Sequence, residues 1–537
     1  MLETEGTVRR MRTAVLISAG IAALALPTGA SAQAGDEPAE AVFTAAEASA
    51  QLEQAVEALA TTDPAAAHPT DELRHLAAAL PSLEGPERRQ ARAILSRPPA
   101  NDAAREPFGA EWPRNPGAET LETAHFVIHW PEGLSCSAPK QGCPEPDLTD
   151  ESGSSAPDYI DQVAAAAEQS LAVQNGELGW PNPKPDDGKG GDDRIDVYVA
   201  DICNENGGSC IFGYANTDDS SPTCQSPPFK CFAYLVLDND YNFEEFGYAD
   251  PGVPLRVTTA HEYNHILQFR LDTMQDGWMF ESTAVWSEEQ VFPDDDDWLF
   301  YLDAWKRTPR QPLTKFTAGG GLKVYGSAVW NHWLELEGGD YGPDVILDAW
   351  KGSRKTKPKD FAVAAYDRAI KRNGGKGFSQ EFGRFAAATA EWQVEDGDFP
   401  GDDANEPDET QFPDVERDGW LKPGGKRKRF KLDHTAYRLL DVDPGSRNVL
   451  KLRVKARHNV RTAVALVGRI GDRETGDIDK DLEYTGKGRR LTARLGDVQE
   501  YDRVTAMVAN ADGRIRGRAG NDWNYTRDNQ RFRVTLR

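Results

Sequence analysis

The sequence of 537 residues predicts an α+β protein of several domains, in which a mixed sheet with helices precedes an all-β sandwich. Two patterns carry this prediction. From residue 254 to residue 288, apolar side chains recur at every third or fourth position, as on buried helices. After residue 412 they alternate with polar residues in short runs between Gly and Asp turns, which is typical of a sandwich. An acidic, proline-containing linker separates the patterns, so the expected ranges are 119–400 for the mixed domain, 401–412 for the linker and 413–537 for the sandwich.

The first 32 residues have the pattern of a secretion signal. A basic segment at 9–12 precedes an apolar run at 14–26, and small residues at 30–32 offer a cleavage site. The apolar run is too short to span a bilayer, and no later run is long enough. We therefore expect a secreted protein without stable membrane insertion. The formal net charge of −26 argues against a nucleic-acid partner, because phosphates favour a basic surface.

Residues 33–118 form an Ala- and Glu-rich leader with helical spacing at 45–60, 71–80 and 85–96. A Pro-rich stretch follows at 98–116. The pattern is compatible with an exposed helical leader and with a propeptide, and it does not distinguish between them.

The six cysteines all lie between residues 136 and 231. An even number of cysteines in a secreted chain indicates disulfide bonds. Their repeated local spacing favours three pairs, although other pairings remain open: Cys136–Cys143, Cys203–Cys210 and Cys224–Cys231.

The mixed domain is expected to begin with strands at 123–130, 194–200 and 231–237, with a helix at 159–173. The strand at 231–237 leads towards the helical segment at 254, so we expect an extended peptide to pair with it. Predicted helices at 342–352, 359–373 and 378–393 complete the domain.

The segment His261-Glu262-Tyr263-Asn264-His265 is an HExxH motif, which is the most specific indication of a chemical function in the sequence. Residues four apart on a helix share a face, so His261 and His265 can bind one metal ion while Glu262 stands beside it. A second helix from about residue 278 offers Glu281 as the third ligand. Glu288 lies two turns further along and is expected to be a supporting or surface residue. Two imidazoles, one carboxylate and a free carboxylate predict zinc-dependent hydrolysis.

The motif, together with the segment WMFESTAVWSE that starts at Trp278, resembles the gluzincin clan of zinc metallopeptidases. The nearest likeness is to secreted bacterial gluzincin-like proteases with a trailing β-domain. The resemblance implies a zincin-like domain with zinc on His261, His265 and Glu281, and Glu262 as general base. The chain lacks the Gly-x-Met-Glu-Asn segment of the clan's aminopeptidases, which favours an endopeptidase.

A donor for the oxyanion is expected downstream of the glutamate helix, in an apolar helix at 323–333. Tyr325 resembles the tyrosine that has this role in the aminopeptidase branch, and His332 is the alternative. Calcium is a further possible cofactor, because acidic loops occur at 186–193 and 294–297, although neither has EF-hand spacing.

These observations predict a secreted zinc metallopeptidase that acts on a protein or peptide substrate. Two other functions remain open: a catalytically inactive zincin-like scaffold, and an extracellular adhesin or carbohydrate-binding protein that works through its sandwich. The presence of Glu262 argues against the scaffold, which has no use for a general base. The oligomeric state is not predicted.

Overall fold

The computed structural model describes residues 43–60, 68–97, 118–131, 149–200, 202–203, 211–218, 223–227, 229–316, 321–337, 341–353, 361–390, 392, 414–470, 479–486, 488–519 and 522–537. The expected signal segment and the expected linker lie outside the described residues. Within the described ranges, no helix has the length and apolar character needed to cross a bilayer.

The described parts of the leader, residues 43–60 and 68–97, contain the three expected helices, α1 (Ala45–Leu59), α2 (Pro69–Ala79) and α3 (Gly85–Ile94). Thr44 caps α1 in a capping box, because its hydroxyl accepts from Glu47 N–H while the Glu47 carboxylate accepts from Thr44 N–H at 2.8 Å. α1 and α2 pack against each other through a buried apolar face, which includes Leu52 and Leu76. The described leader is therefore folded, and its apolar side chains join the main core of the mixed domain.

A five-stranded sheet follows, formed by β1 (Ala118–Glu122), β2 (Phe126–Pro131), β3 (Ile195–Ala200), β4 (Gly213–Asn216) and β5 (Tyr234–Asp238). Its order is β1-β2-β3-β5-β4. The β2–β3 and β3–β5 pairs are parallel, and the two outer strands pair antiparallel with their neighbours.

The strand order corrects the expected site of peptide pairing. β5, which overlaps the expected strand at 231–237, is hydrogen-bonded on both sides and cannot accept another strand. β4 instead forms the edge nearest the HExxH helix. The prediction for 231–237 was wrong because β4 is inserted at the edge although it precedes β5 in the chain.

Ten α-helices build most of the rest of the mixed domain in the described residues: α4 (Asp158–Leu171), α5 (Phe243–Phe246), α6 (Gly252–Leu271), α7 (Gly277–Val291), α8 (Trp298–Lys306), α9 (Lys323–Gly326), α10 (Val329–His332), α11 (Asp344–Lys351), α12 (Ala362–Arg372) and α13 (Phe378–Ala388). α6 packs on β4, β5, α4 and α7. It is buried over most of its surface, as its apolar pattern predicted.

The expected helix at 323–333 is interrupted between α9 and α10. The Ser327 hydroxyl donates to the carbonyl of Lys323 at 3.0 Å and approaches the carbonyl of Leu313 at 3.3 Å. A Cβ at Gly326 would lie only 2.5 Å from the carbonyl oxygen of Tyr301, so α9 approaches α8 as closely as a glycine permits. These tertiary contacts shape a turn that the apolar pattern alone does not reveal.

The structure contains one of the expected disulfides, Cys224–Cys231, with a Cα–Cα distance of 5.2 Å. It closes the segment that leads into β5. Cys203 is also disulfide-bonded. The remaining cysteines, at 136, 143 and 210, lie outside the described residues.

The carboxy-terminal region is all β, with strands β6 (Arg417–Leu421), β7 (Lys428–Leu432), β8 (Ala436–Val442), β9 (Leu450–Ala456), β10 (Thr462–Ile470), β11 (Asp479–Gly486), β12 (Arg490–Leu495), β13 (Arg503–Asn510), β14 (Ile515–Ala519), β15 (Asp522–Tyr525) and β16 (Gln530–Leu536). The order is β11-β10-β13-β8-β6 in one sheet and β12-β9-β16-β7 in the other, and β14 pairs with β15. Side chains from both large sheets, such as Val464 and Phe532, form one buried cluster between them. The architecture is thus α+β, as expected.

Candidate metal centre and catalytic cleft

α6 presents the two histidines of the HExxH motif on one face. Their ring centroids are 4.7 Å apart and the ring planes are nearly perpendicular, at 83°. Both rings are buried in the described structure, with 9% of His261 and 1% of His265 exposed. The helical spacing expected from the sequence therefore brings the two imidazoles together in the lining of a cleft.

α7 supplies Glu281 to the same point. Its Oε2 lies 3.4 Å from Nε2 of His261 and 3.9 Å from Nε2 of His265. One potential ligand atom from each of the three residues lies within 4.8 Å of the others. Atoms bound to one tetrahedral zinc ion at about 2.1 Å are roughly 3.4 Å apart, so this donor set fits zinc in both type and spacing.

The opposite nitrogen of each imidazole has an acceptor that fixes the ring. His261 Nδ1 lies 2.5 Å from Oε1 of Glu288, and His265 Nδ1 lies 2.7 Å from Oε1 of Gln268. The Gln268 amide donates to Phe280 O at 3.0 Å, which orients its oxygen towards His265. With Nδ1 as donor, each ring turns the Nε2 lone pair towards Glu281, as metal-binding histidines commonly do.

The ionisation of the three candidate ligands favours a cation between them. Burial alone raises the pKa of Glu281, but its hydrogen bond with His261 and the charge of His265 hold it at about 2. Burial lowers the pKa of His265 to about 3, against the attraction of Glu281. Burial also disfavours charge on His261, yet Glu281 and Glu288 raise its pKa well above the ordinary value. A cation between these groups supplies the positive charge that the carboxylates attract.

Glu262 lines the cleft beside the three candidate ligands and outside their set. Its Oε2 accepts a hydrogen bond from the Thr70 hydroxyl at 3.1 Å. Burial raises the pKa of Glu262 to about 7, and the charge of Glu281 acts in the same direction. A buried carboxylate with a pKa near neutrality is suited to general-base catalysis.

β4 passes unusually close to Glu262. A Cβ at Gly213 would lie 2.8 Å from Cγ2 of Thr258 and 3.3 Å from Cγ of Glu262. Only a glycine at the start of β4 therefore allows the sheet edge to lie directly against the helix that carries the motif.

The two candidates for the oxyanion donor occupy different environments. The Tyr325 ring lies in the cleft, 6.0 Å from the ring of His261 between centroids. Burial and the charges of Glu281 and Glu262 raise the pKa of Tyr325 well above its usual value, so its hydroxyl stays protonated. His332 is fully buried against Trp298, with ring centroids 4.2 Å apart, and does not line the cleft.

The cleft has a volume of about 440 Å³. Apolar side chains form one part of its wall: Ile211, Phe212, Phe246, Val257, Phe300 and Leu322. Apolar walls with a few converging polar groups are typical of sites that bind organic ligands.

Leader residues also line this cleft, which the sequence did not reveal. His68 and Thr70 lie on either side of Pro69, the first residue of α2. Pro69 signals a helix start, but nothing in the sequence indicates that this start faces the HExxH motif. The hydrogen bond between Thr70 and Glu262 joins residues that are 192 positions apart in the chain.

Several carboxylates of the two acidic loops have partners within the protein. Asp186 pairs with Arg97 at 2.5 Å, and Asp192 pairs with Arg194 at 2.6 Å. Asp295 pairs with Arg256 at 2.5 Å. Calcium binding by these loops stays a prediction.

No protein-family model matches the chain, and no curated protein matches it significantly. The chemistry of this site is therefore inferred from the arrangement of its own residues.

Proposed function

We propose that this chain is a secreted zinc metallopeptidase of the gluzincin clan, acting as an endopeptidase. The observation that carries the proposal is the convergence of three groups: two imidazole Nε2 atoms and one Glu281 oxygen, with the Glu262 carboxylate beside them. Three protein ligands leave a fourth zinc position for water, which is the arrangement of catalytic rather than structural zinc sites.

His261, His265 and Glu281 would hold the metal. The chemistry that a zinc ion supplies at such a ligand set is a lower pKa for a water molecule and polarisation of a carbonyl group. Glu262 accepts a proton from the attacking water as its oxygen bonds to the carbonyl carbon. Glu262 then passes this proton to the amide nitrogen as the C–N bond breaks, so one carboxylate serves both steps.

Tyr325 would stabilise the negative charge that develops on the carbonyl oxygen. Its hydroxyl is protonated at neutral pH and lies in the same cleft as the candidate ligands. A donor fixed before the reaction stabilises this charge without reorganisation.

The cleft suits an extended peptide with an apolar side chain. The edge strand β4 offers backbone groups for pairing, and the apolar wall, which includes Phe212 and Phe246, offers a place for the side chain. The sequence lacks the segment with which aminopeptidases of the clan bind a free amino terminus, which supports internal cleavage.

The change Glu262→Gln tests the proposal. It conserves size and hydrogen bonding but removes the base, so cleavage of unfolded protein substrates is expected to fall about 10²- to 10⁴-fold. Zinc content and thermal stability are expected to stay near those of the wild type. The exposed Glu177→Gln is a matched control and is expected to retain full activity. Equal cleavage by wild type and Glu262→Gln would contradict this mechanism and favour a non-catalytic scaffold.

A further inference from the structure

The leader covers the edge of the sheet at the point where the proposed site opens. α2 packs on β4, and its first residues reach the cleft next to the candidate ligands. A leader that only solubilised the chain or carried it through a membrane would not need this contact.

Thr70 occupies two groups that a bound peptide would need. Its hydroxyl donates to Oε2 of Glu262 at 3.1 Å and accepts from the Ala215 N–H at 2.9 Å. Ala215 lies within β4, and this N–H points away from β5, towards the free edge. Backbone pairing with an edge strand is the usual way in which extended peptides bind to a sheet. While Thr70 is in place, a substrate cannot use this N–H, and the base is already hydrogen-bonded.

His68 covers the other side of the same opening. Its Nδ1 lies 2.8 Å from the hydroxyl of Tyr325, the proposed oxyanion donor. Only 3% of the residue is exposed, and its Nε2 has no hydrogen-bond partner in the described structure. The leader thus contacts both groups that are proposed to act on the substrate.

Two buried arginines hold the leader in this position. Arg74 pairs with Asp71, donates to the carbonyl of Thr273, and places its guanidinium 3.9 Å from the centroid of the Phe280 ring on α7. Charged groups at such depth are stabilised only by partners, so they act as specific anchors.

Arg97 is the second anchor, at the end of the described leader. It binds three carboxylates of the mixed domain: Asp186 at 2.5 Å, Asp218 at 3.3 Å, and Asp196. The leader is therefore docked on the mixed domain by the ion pairs of Arg97 and by the contacts of Arg74 with Thr273 and Phe280.

We propose that the described leader, residues 43–60 and 68–97, is an intramolecular inhibitor, which keeps the cleft latent by occupying the peptide-binding edge of β4 and the Glu262 carboxylate. This inference rests on the proposed peptidase function. Activation requires undocking of the start of α2 from β4, whether by proteolysis of the leader or by its displacement.

The change Thr70→Val removes both hydrogen bonds and keeps the shape of the side chain. We expect zinc-loaded, full-length Thr70→Val to bind an apolar dipeptide hydroxamate about tenfold more tightly than the wild type. Peptide cleavage, as kcat/KM, is expected to rise by a similar factor, and the amide of Ala215 is expected to exchange hydrogen faster. Ser82→Ala is the control, because this leader residue donates to Phe43 O at 2.7 Å and does not line the cleft. Unchanged or weaker hydroxamate binding by Thr70→Val would overturn the proposal.

A second measurement does not depend on that variant. A recognition sequence for a specific protease, inserted between residues 98 and 117, allows the leader to be cut from the remaining chain. Inhibition within one chain has a high effective concentration, which is lost after cutting. Hydroxamate binding by the cut protein is therefore expected to increase on dilution, whereas binding by the uncut protein does not. Identical binding at every dilution would contradict an inhibitory leader.

Different results would contradict the peptidase proposal and the proposal of an inhibitory leader. If hydroxamate binding is unmasked but no peptide is cleaved, the leader is an inhibitor of a site that is not a peptidase. If the uncut wild type already cleaves peptides as fast as Thr70→Val, the peptidase proposal stands and the leader proposal is wrong.

Discussion

At the residue scale, the candidate centre depends on which nitrogen of each imidazole faces which carboxylate. Glu281 lies on the Nε2 side of both rings, while Glu288 lies on the Nδ1 side of His261. We predict that Glu281→Gln loses stoichiometric zinc, and that Glu288→Gln retains zinc with an affinity about 10- to 100-fold lower. Metal analysis after dialysis against a graded chelator series measures both. Equal loss of zinc in the two variants would contradict the assignment.

The two candidates for the oxyanion donor give a second prediction. Tyr325→Phe is expected to lower kcat about 10²- to 10³-fold while KM and zinc content change little, because the hydroxyl acts mainly in the transition state. Steady-state kinetics on one peptide measure the split between kcat and KM.

His332→Leu is the control for the tyrosine. Burial lowers the pKa of His332 to about 3, and neither ring nitrogen has a hydrogen-bond partner among the described residues. An apolar side chain of similar size is therefore expected to leave both activity and stability close to those of the wild type. A loss of kcat in His332→Leu with normal folding would reverse the two roles.

The sequence alone predicted the relative positions of His261, His265 and Glu262, because helix geometry determines how side chains within about one turn are arranged. The choice of Glu281 required only one more local element, the helix that follows directly. Thr70 could not be found in this way, because its contact with Glu262 depends on how the leader docks on the sheet edge. Local periodicity carries no information about such docking.

At the element scale, the strands were predicted more reliably than their order. β5 is buried along its whole length, and a run such as Tyr234–Asp238 is typical of an interior parallel strand rather than an edge. This signal could have excluded it as the peptide-pairing strand. The position of β4 at the edge could not have been predicted, because the sequence of a short strand does not indicate which strands it pairs with.

The leader helices carry a buried carboxyl group whose titration weakens them as the pH rises towards 8. Burial raises the pKa of Glu72 on α2 to about 8, with Asp71 and Glu57 adding negative charge, while Gln51 and Arg74 act in the opposite direction. Because its pKa is higher in the folded state, folding is favoured while Glu72 is protonated. The stability of the leader is therefore expected to fall as the pH rises from about 4.5 to about 8.

Hydrogen exchange of the α1 and α2 amides at pH 6 and pH 9, corrected for intrinsic rates, measures this effect. Glu72→Gln keeps the contact with Gln51 and removes the titration, so its protection is expected to be nearly independent of pH. Protection that changes with pH equally in both proteins would show that another group is responsible.

At the scale of the whole molecule, the described residues from the leader to the last strand belong to one compact unit, Ala41–Arg537. The five-stranded sheet of the sandwich contributes its outer face to the main core, where Tyr437 packs against Phe382 of α13. Arg461 donates to Ser379 at 2.9 Å across the same contact. Stability is therefore shared between the mixed domain and the sandwich.

We predict that the zinc-loaded full-length protein unfolds in one calorimetric transition, and that removing zinc lowers the temperature of that whole transition. Two separate transitions, of which only one responds to zinc, would show that the sandwich folds independently.

The contact between Thr70 and Ala215 has a consequence beyond catalysis. An edge strand with free N–H groups pairs with any extended chain, including one from a second molecule, and this is a common route to aggregation. β4 is an edge strand of this kind, and its first residue, Gly213, cannot be replaced without a clash. The leader precedes the sheet in the chain, so it is available to cover this edge as soon as β4 forms. The docked α2, which we propose to keep substrates from this edge, is therefore also expected to keep two copies of the chain from pairing there while they fold.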